Sequence, residues 1–133
     1  MLTLDLTHMD EYYCLCALDT VNDILTRKWM LLVVNSIGNK GRARFSQIYR
    51  ELTGISPATL ASILRNLESK GLITRTVFAE VPPRVEYSLT KDGEGLRHAL
   101  LPLLKWASMR DEYAKIAQQC GPEKLLKVHF TNK

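Results

Sequence analysis

Between residues 45 and 89 the chain carries four structural signals in unbroken succession. A short segment with apolar residues at helical spacing comes first, and a turn at Thr53-Gly54 follows it. Ser56-Pro57 then begins a second helix, because serine is a favoured N-cap residue and proline suits the first helical position. From Leu72 onward, two predicted strands flank a tip that contains Pro82-Pro83. This order predicts a helix-turn-helix followed by a β-hairpin, or wing.

The second of these helices has two contrasting faces. Its apolar residues recur every three or four positions, as on a face that packs inward; they are Leu60, Ile63, Leu64 and Leu67. The opposite face carries only small or hydrogen-bonding residues. A helix that enters the major groove of DNA needs such a face, although an ordinary solvent-exposed face is the alternative. Its place between the turn and the wing favours DNA, and the candidate contacts are Ser56, Ala58, Thr59, Ser62, Arg65 and Asn66.

The wing supplies a second set of candidate DNA contacts. Strands are predicted over residues 72–79 and 84–89, with a tip stiffened by Pro82 and Pro83. Arg84 at the base of the tip and Arg75 on the facing strand are candidates to contact the phosphate backbone or the minor groove. The alternative role of the two arginines is cross-strand pairing with Glu80 or Glu86.

Upstream of the helix-turn-helix the pattern predicts further helices. Apolar positions at helical spacing over residues 16–25 fit about two turns. The apolar run over residues 29–34 predicts a buried helix that ends at Ser36–Gly38, with a buried strand as the alternative. Residues 42–45 predict a short strand. Ser46 is predicted to cap the first helix of the helix-turn-helix, whose inward face holds Ile48, Tyr49 and Leu52.

A long C-terminal helix is predicted to begin near Thr90 and to end near Cys120-Gly121. At ~1.5 Å per residue, such a helix of about 29 residues would span ~43 Å. Pro102 lies inside it and is expected to kink it. Because this length exceeds what a small domain needs, part of the apolar stripe is predicted to pack against a second subunit; packing within one chain is the alternative. The candidate dimerisation residues are Leu96, Leu100, Leu103, Leu104, Trp106 and Tyr113.

The net charge of +4 is unevenly distributed along the chain. Residues 1–26 hold five acidic residues and no lysine or arginine, whereas residues 27–100 hold twelve basic and six acidic residues. The basic excess therefore falls on the segment that is predicted to contact DNA, where phosphate would need it. A solvated basic face without a partner is the alternative.

Several other function classes find no support in the sequence. No apolar run approaches the ~20 residues of a membrane span, and the N-terminus lacks the features of a signal peptide, so we expect a cytoplasmic protein with no membrane partner. Three cysteines without a second ligand pair at zinc spacing indicate neither a disulfide framework nor a metal site. No Ser/His/Asp set, P-loop or paired-carboxylate motif stands out, so we expect neither an enzyme nor a cofactor.

The predicted architecture is a single domain over residues 1–133 of the α+β class, mainly α. It comprises a winged helix-turn-helix with a two-stranded wing and a long C-terminal helix. We place the core at about residues 16–105, an N-terminal arm at 1–15, and a dimerisation helix and tail at 90–133.

The chain resembles the HxlR-type winged helix-turn-helix regulators of bacteria and archaea. The similarity covers about residues 16–105, and the run Val81-Pro82-Pro83-Arg84-Val85-Glu86-Tyr87 is unusually specific. Further matches are Cys16, Asp23, Lys28-Trp29, Arg44-Phe45-Ser46, Gly54-Ile55-Ser56-Pro57, Leu60, Leu64-Arg65, Leu67-Glu68, Gly71-Leu72, Arg75 and Ser88-Leu89-Thr90. The resemblance implies a homodimeric transcriptional regulator that binds DNA.

The chain departs from the family pattern in three places. Ala17 follows Cys16 where the family usually has proline, and Thr26-Arg27 replaces a usual Gly-Gly pair. Ala58 and Ala61 stand where longer polar residues are common, which leaves the operator sequence open.

Several members of the family use the cysteine matched by Cys16 as a sensor of oxidants or electrophiles. The resemblance therefore makes Cys16 a candidate redox sensor, with a buried structural cysteine as the alternative. A sensor needs a thiol of low pKa. The nearby acidic residues would raise the pKa of Cys16, whereas Lys28 or a helix N-terminus would lower it.

Together these patterns predict a homodimer that regulates transcription. Helix 56–70 of each subunit would read one half of a palindromic operator in double-stranded DNA, and the wing would contact the flanking backbone. The sequence identifies no effector. The alternative is a winged helix that serves as a protein–protein interaction module without an operator.

Overall fold

The computed structural model describes residues 12–127, which are mainly helical with one two-stranded antiparallel sheet. A 3-10 helix at Leu15–Thr20 precedes the regular elements, and two more 3-10 helices, Ala117–Gln119 and Pro122–Lys124, follow them. The regular elements are α1 (Asn22–Leu25), α2 (Lys28–Lys40), α3 (Phe45–Glu51), α4 (Pro57–Ser69), β1 (Ile73–Phe78), β2 (Arg84–Leu89), α5 (Lys91–Ser108) and α6 (Tyr113–Ile116).

This architecture confirms the predicted winged helix-turn-helix of mainly helical α+β class. Most of the predicted N-terminal arm lies outside the described residues. The proposed division into arm, core and C-terminal dimerisation segment stays a prediction.

Helix α2 lies at the centre of the core. It contacts α3, α4, α5 and β2, and its buried residues are Met30, Val33, Val34, Asn35, Ser36 and Ile37. The predicted buried helix is therefore confirmed, and the strand alternative is wrong. The helix continues to Lys40, past the predicted end at Ser36–Gly38, and its C-cap residue is Gly41, whose φ of +78° favours glycine.

Helices α3 and α4 form the helix-turn-helix. Gly54 between them has φ +98°, a conformation that glycine adopts at little cost. Helix α3 begins at Phe45, and its N-cap residue is Arg44, whose main-chain N–H donates to Gln47 Oε1 at 2.8 Å. The predicted cap at Ser46 is therefore wrong, because Gln47 already satisfies the helix entrance two residues earlier. On the predicted inward face, Ile48 and Leu52 are buried, whereas Tyr49 is exposed.

The start of α4 agrees with the sequence pattern. Ser56 Oγ accepts a hydrogen bond from the Thr59 N–H at 3.1 Å, and Pro57 is the first helical residue. The residues predicted to face inward, Leu60, Ile63, Leu64 and Leu67, are all buried. The cap and the apolar spacing are therefore confirmed.

The wing is the antiparallel pair β1–β2, with Ile73 opposite Leu89 and Phe78 opposite Arg84. The strand predicted over residues 42–45 is a single bridge between Ala43 and Tyr87, closed by two hydrogen bonds of 2.9 and 2.8 Å. It extends no further because the next residues already begin α3.

The predicted C-terminal helix begins next to Thr90 as expected, but its predicted end near Cys120 is wrong. Helix α5 ends at Ser108, and the short α6 begins only at Tyr113. Ser108 Oγ donates to the Lys105 carbonyl at 2.8 Å, a local bond that competes with continuation of the helix. At ~1.5 Å per residue, α5 spans ~27 Å rather than the predicted ~43 Å. Pro102 lies within α5.

The predicted helix over residues 16–25 is also corrected. The segment divides into the 3-10 helix Leu15–Thr20 and the one-turn α1, and Ile24 is buried whereas Leu18 and Leu25 are exposed. Packing of apolar side chains supplies most of a helix's stability in a protein, and this segment buries too few of them to stabilise a continuous helix. None of the helices in the described part of the chain is long and apolar enough to span a membrane.

Candidate nucleic-acid interface

The polar face of α4 is open to solvent. Thr59, Ser62 and Arg65 are exposed, and Asn66 is half-buried. The Ser56 hydroxyl donates to Thr59 Oγ1 at 2.7 Å and also caps the helix, so Ser56 has a structural role at this end. The hydroxyl hydrogen of Thr59 is left available to another acceptor, such as a base edge.

The C-terminal end of α4 is anchored to α1 by an ion pair. Lys70 Nζ lies 2.8 Å from Asp23 Oδ2, and this hydrogen bond holds the pKa of the Asp23 carboxyl below its usual range. Both side chains are partly exposed, so the contribution to stability is small. The pair nevertheless fixes where the helix ends relative to α1.

A groove runs along the N-terminal half of α4. It encloses about 470 Å³ and is lined by the α4 residues Ala58, Thr59, Ser62 and Ile63 together with Arg27, Lys28 and Trp29 at the start of α2. Arg27 and Lys28 are exposed, and Lys28 Nζ lies 5.8 Å from the centroid of the Trp29 ring. The N-cap residue and the first residue of α2 therefore place two cations beside the residues that are predicted to read bases.

This end of α2 suits an anion. Its first turn holds no acidic residue, and the N-cap residue Arg27 makes no side-chain capping bond. Positive side chains at a helix N-terminus oppose the helix dipole, so a bound phosphate would relieve an unfavourable arrangement. Neither Arg27 nor Lys28 was among the predicted DNA contacts. The sequence does carry a signal for them, because Thr26-Arg27-Lys28 interrupts the apolar residues between Leu25 and Trp29.

A second groove separates α4 from the wing. It encloses about 410 Å³, and its lining includes Arg65 and Glu68 of α4, Arg75 of β1 and Tyr87 of β2. Arg75 is exposed, and the ion pairs within residues 12–127 do not include it. The structure thus brings Arg65 and Arg75, two predicted contacts from distant parts of the sequence, to one groove.

Arg84 has the alternative role that the sequence left open. Its Nη2 lies 3.3 Å from Glu80 Oε1, and its Nε lies 3.6 Å from Glu86 Oε1. The guanidinium carbon is also 4.2 Å from the centroid of the Phe78 ring. Two carboxylates therefore offset its charge, and Arg84 holds the base of the tip together.

The wing tip presents apolar surface. Val81, Pro82 and Pro83 are exposed, and the Val81–Pro82 peptide bond is cis. A groove of about 500 Å³ lies between this tip and the start of α3. The predicted tip residues Pro82 and Pro83 are thus accessible to a neighbouring molecule.

The predicted dimerisation residues divide into two groups. Leu96 packs against the core, and Leu100 is half-buried. Large apolar side chains are exposed along the rest of the segment: Leu103, Leu104, Trp106, Met109, Tyr113 and Ile116. An accumulation of exposed apolar side chains of this kind is unusual on the surface of a monomeric protein.

The cysteines differ from expectation. Cys14 and Cys16 form a disulfide, and both residues are exposed, so the alternative of a buried structural Cys16 is wrong. The 3-10 helix Leu15–Thr20, which contains Cys16, buries none of its residues, so this segment lies on the surface. Cys120 is a free, exposed thiol. Within residues 12–127 no three His, Cys, Asp or Glu side chains gather where they could hold a metal ion.

Comparison with known proteins gives consistent matches. The model of the HxlR-like helix-turn-helix family matches residues 24–115. An HTH-type transcriptional regulator of Methanothermobacter thermautotrophicus is 38% identical over 113 residues, which cover 85% of this chain and 84% of the relative.

Solved structures of transcriptional regulators also match this chain. The reduced form of the transcriptional regulator YodB from B. subtilis superposes with a TM-score of 0.68 at 27% identity, covering 77% of this chain and 98% of YodB. The redox regulator HypR in its oxidised form superposes with a TM-score of 0.61 at 36% identity, covering 72% of this chain and 99% of HypR.

Proposed function

Because this chain belongs to the HxlR-like helix-turn-helix family of DNA-binding transcriptional regulators, we propose that it acts as a homodimer on a palindromic operator. Its role is that of a regulator rather than an enzyme. The observation that carries the proposal is the exposed polar face of α4, flanked on one side by Arg27 and Lys28 and on the other by Arg75. A DNA-binding regulator must have access to chromosomal DNA, so we place this protein in the cytoplasm.

In the proposed complex α4 lies in the major groove. Thr59 and Ser62, near its N-terminal end, contact base edges, and the Ala58 methyl group suits contact with a thymine methyl. Arg65 and Asn66 lie further along the helix, where they contact the backbone. Phosphates on either side of the groove are met by the basic start of α2 and by Arg75.

The homodimer follows from the small size of one reading unit. Two copies related by a two-fold axis place their α4 helices about one turn of DNA apart, roughly 34–36 Å. The exposed apolar side chains from Leu103 to Ile116 supply the surface that would join the two copies.

We expect Lys28→Ala and Arg75→Ala each to weaken binding to every DNA sequence. Each change removes one cation beside α4, so the slope of log affinity against log salt should fall by about one unit per lost phosphate contact. Arg84→Ala should change the slope less, because Glu80 and Glu86 already offset that charge. Fluorescence anisotropy with a labelled duplex at several salt concentrations measures the slopes.

Lys115→Ala is the matched control for these variants. Lys115 is an exposed lysine on α6 and does not line either α4 groove, so its removal should leave the slope unchanged. If the unmodified protein showed no salt-dependent binding to DNA and selected no operator from random duplexes, the alternative of a protein–protein module would be favoured.

We also propose that the Cys14–Cys16 pair responds to oxidants. Support comes from the exposure of both cysteines and from the similarity to HypR, which is described as a redox regulator. When the two thiols form the disulfide, two electrons and two protons pass to an oxidant such as hydrogen peroxide, which is reduced to two molecules of water.

Thiol labelling tests this proposal. A Cys120→Ser variant should take up two equivalents of a maleimide after reduction and none after treatment with peroxide. The further substitution Cys14→Ser should leave one reactive thiol that cannot form the intramolecular link. Equal labelling of the Cys120→Ser variant before and after peroxide would rule out Cys14 and Cys16 as an oxidant-responsive pair.

A further inference from the structure

The last described residues of the chain cross the surface between α2 and α5. After the 3-10 helix Pro122–Lys124, residues 125–127 form no regular secondary structure. Three side chains hold them in place: Asn35 and Asn39 of α2, and Arg97 of α5.

The hydrogen bonds at this contact all involve the main chain of the segment. The Leu125 carbonyl accepts from Asn35 Nδ2 at 2.9 Å and from Asn39 Nδ2 at 2.7 Å. Two residues later, the Lys127 N–H donates to Asn39 Oδ1 at 2.9 Å, and the Lys127 carbonyl accepts from Arg97 Nη2 at 2.9 Å. The contact therefore recognises main-chain groups of alternate residues, Leu125 and Lys127, rather than particular side chains.

The three side chains form a built site. Asn35 and Asn39 are four residues apart, so they project from the same face of α2. Arg97 is only 6% exposed, and its Nη2 also donates to Asn39 Oδ1 at 2.7 Å, which orients that amide. A Cβ atom on Gly38 would lie 2.4 Å from Arg97 Nε, so glycine at this position makes room for the arginine.

Burying these polar groups is unfavourable unless they are hydrogen-bonded. Within residues 12–127, Asn35 Oδ1 and Arg97 Nε are buried and have no hydrogen-bond partner. The site therefore carries an energetic cost that hydrophobic packing of α2 against α5 would have avoided. A role in binding the main chain accounts for why polar groups are placed there.

The side chains of the bound segment add little to its attachment. Leu125 and Lys127 are exposed, and Leu126 is half-buried. The charge of Lys127 also acts on Lys40, whose pKa is lowered mainly by burial and further by this repulsion. A segment with few buried apolar contacts separates from the rest of a fold at low free-energy cost.

We propose that Asn35, Asn39 and Arg97 form a main-chain docking site that holds residues 122–127 as a releasable strap. The strap joins α2, which packs beneath α4, to α5, which carries part of the apolar surface assigned to the homodimer. Its release loosens α5 relative to the reading helix and so lowers operator affinity, because the dimer no longer holds its two α4 helices at a fixed spacing. Only this last effect rests on the proposed function; the docking site does not.

Two substitutions at one position test whether the main chain is recognised. Lys127→Pro removes the N–H that donates to Asn39, whereas Lys127→Ala keeps it and removes only the side chain. Trypsin cleavage after Lys124 in the native full-length protein reports release of the strap. Because cleavage follows the population of the open form, Lys127→Pro should raise its rate about three- to tenfold, and Lys127→Ala should leave it within about twofold.

A change on the other side of the contact gives an independent test. Asn39→Ala should raise the same cleavage rate, whereas Gln118→Ala, at an exposed amide outside the contact, should not. Amide hydrogen exchange separates release from unfolding: Lys127 should exchange faster in Asn39→Ala, while Thr90, whose N–H donates to the Leu72 carbonyl in the core, should not.

The outcomes of the two arms are distinguishable. Equal cleavage of Lys127→Pro and Lys127→Ala would overturn the docking site. Faster cleavage of Lys127→Pro, together with a several-fold loss of operator affinity, supports the strap. Faster cleavage with unchanged operator affinity would overturn its coupling to DNA. If no form of the protein bound DNA, the proposed function would fail, and the proteolysis and exchange results would still decide the docking site.

Discussion

Leu104→Glu should convert the homodimer into monomers and abolish operator binding. Leu104 is 46% exposed in the single chain and lies beside Leu103 and Trp106 in the apolar surface assigned to the dimer. A carboxylate placed in that contact would be buried without a partner, which is strongly unfavourable. Each monomer would then present a single α4 to the DNA. Light scattering coupled to size-exclusion chromatography measures the mass, and a gel-shift assay with the operator measures binding.

Lys105→Glu is the matched control. It introduces the same residue on the next position of α5, where the native side chain is already charged and exposed, so it should remain dimeric. Far-UV circular dichroism separates loss of assembly from loss of folding, since a monomer that is unstable alone would unfold. If the unmutated protein were a monomer at micromolar concentration and bound a palindrome one subunit at a time, the homodimer would be wrong.

The helix-turn-helix and the wing could be predicted because their signals are local. The cap by Ser56, the turn glycine Gly54 and the apolar spacing of α4 each depend on residues close together in the sequence. The strands β1 and β2 are joined by a short tip, so their pairing needs no distant contact. In this region the local preferences and the tertiary contacts agree.

The errors arose where an element has little tertiary support or where local alternatives compete. The continuous apolar stripe near Tyr113 and Ile116 predicted a longer helix, but those side chains remain exposed and the chain turns after Ser108. At α3, the bond from Arg44 to Gln47 moved the helix start away from the expected serine cap. Spacing along the sequence does not distinguish an apolar face that packs within the chain from one that remains exposed.

The roles of individual candidate-site residues depended on the folded wing. Arg75 and Arg84 look equivalent in sequence as basic residues on facing strands. Folding places two carboxylates beside Arg84, whereas Arg75 faces the groove that also contains Arg65. The basic start of α2 was missed for a similar reason, since its closeness to Thr59 exists only after α2 and α4 have packed.

Close contacts between segments that are far apart in the sequence were the hardest features to predict. The predicted helix start near Thr90 did not single out Gly93, which is buried where α5 meets the residue before β1. A Cβ atom on Gly93 would lie 2.2 Å from the Leu72 carbonyl oxygen and 3.3 Å from Leu89 Cδ2. That same carbonyl accepts the N–H of Thr90 at 3.0 Å, so it cannot move away without loss of a bond at the start of α5. Glycine at this position is therefore a packing requirement.

Gly93→Ala should accordingly be among the most destabilising single substitutions in the chain. The added methyl group meets main-chain atoms rather than a flexible side chain, so the start of α5 must shift. We expect a loss of about 3 kcal/mol or more in the free energy of unfolding, and a melting temperature lower by roughly 10 °C or more. Urea denaturation followed by circular dichroism measures the first quantity, and a thermal scan measures the second.

Gly95→Ala gives the opposite expectation two residues later in the same helix. Gly95 is exposed, and within residues 12–127 no atom other than its chain neighbours and the nearby backbone of α5 lies within 4 Å of the position its Cβ would occupy. There the substitution gains helix propensity without a clash, so it should stabilise the protein by about 0.5–1 kcal/mol. Equal effects of the two substitutions would mean that helix propensity alone acts at both positions, and the close approach of α5 to Leu72 would then be wrong. Opposite signs would show that this contact holds α5 against the base of the wing, from where it presents the apolar surface assigned to the dimer.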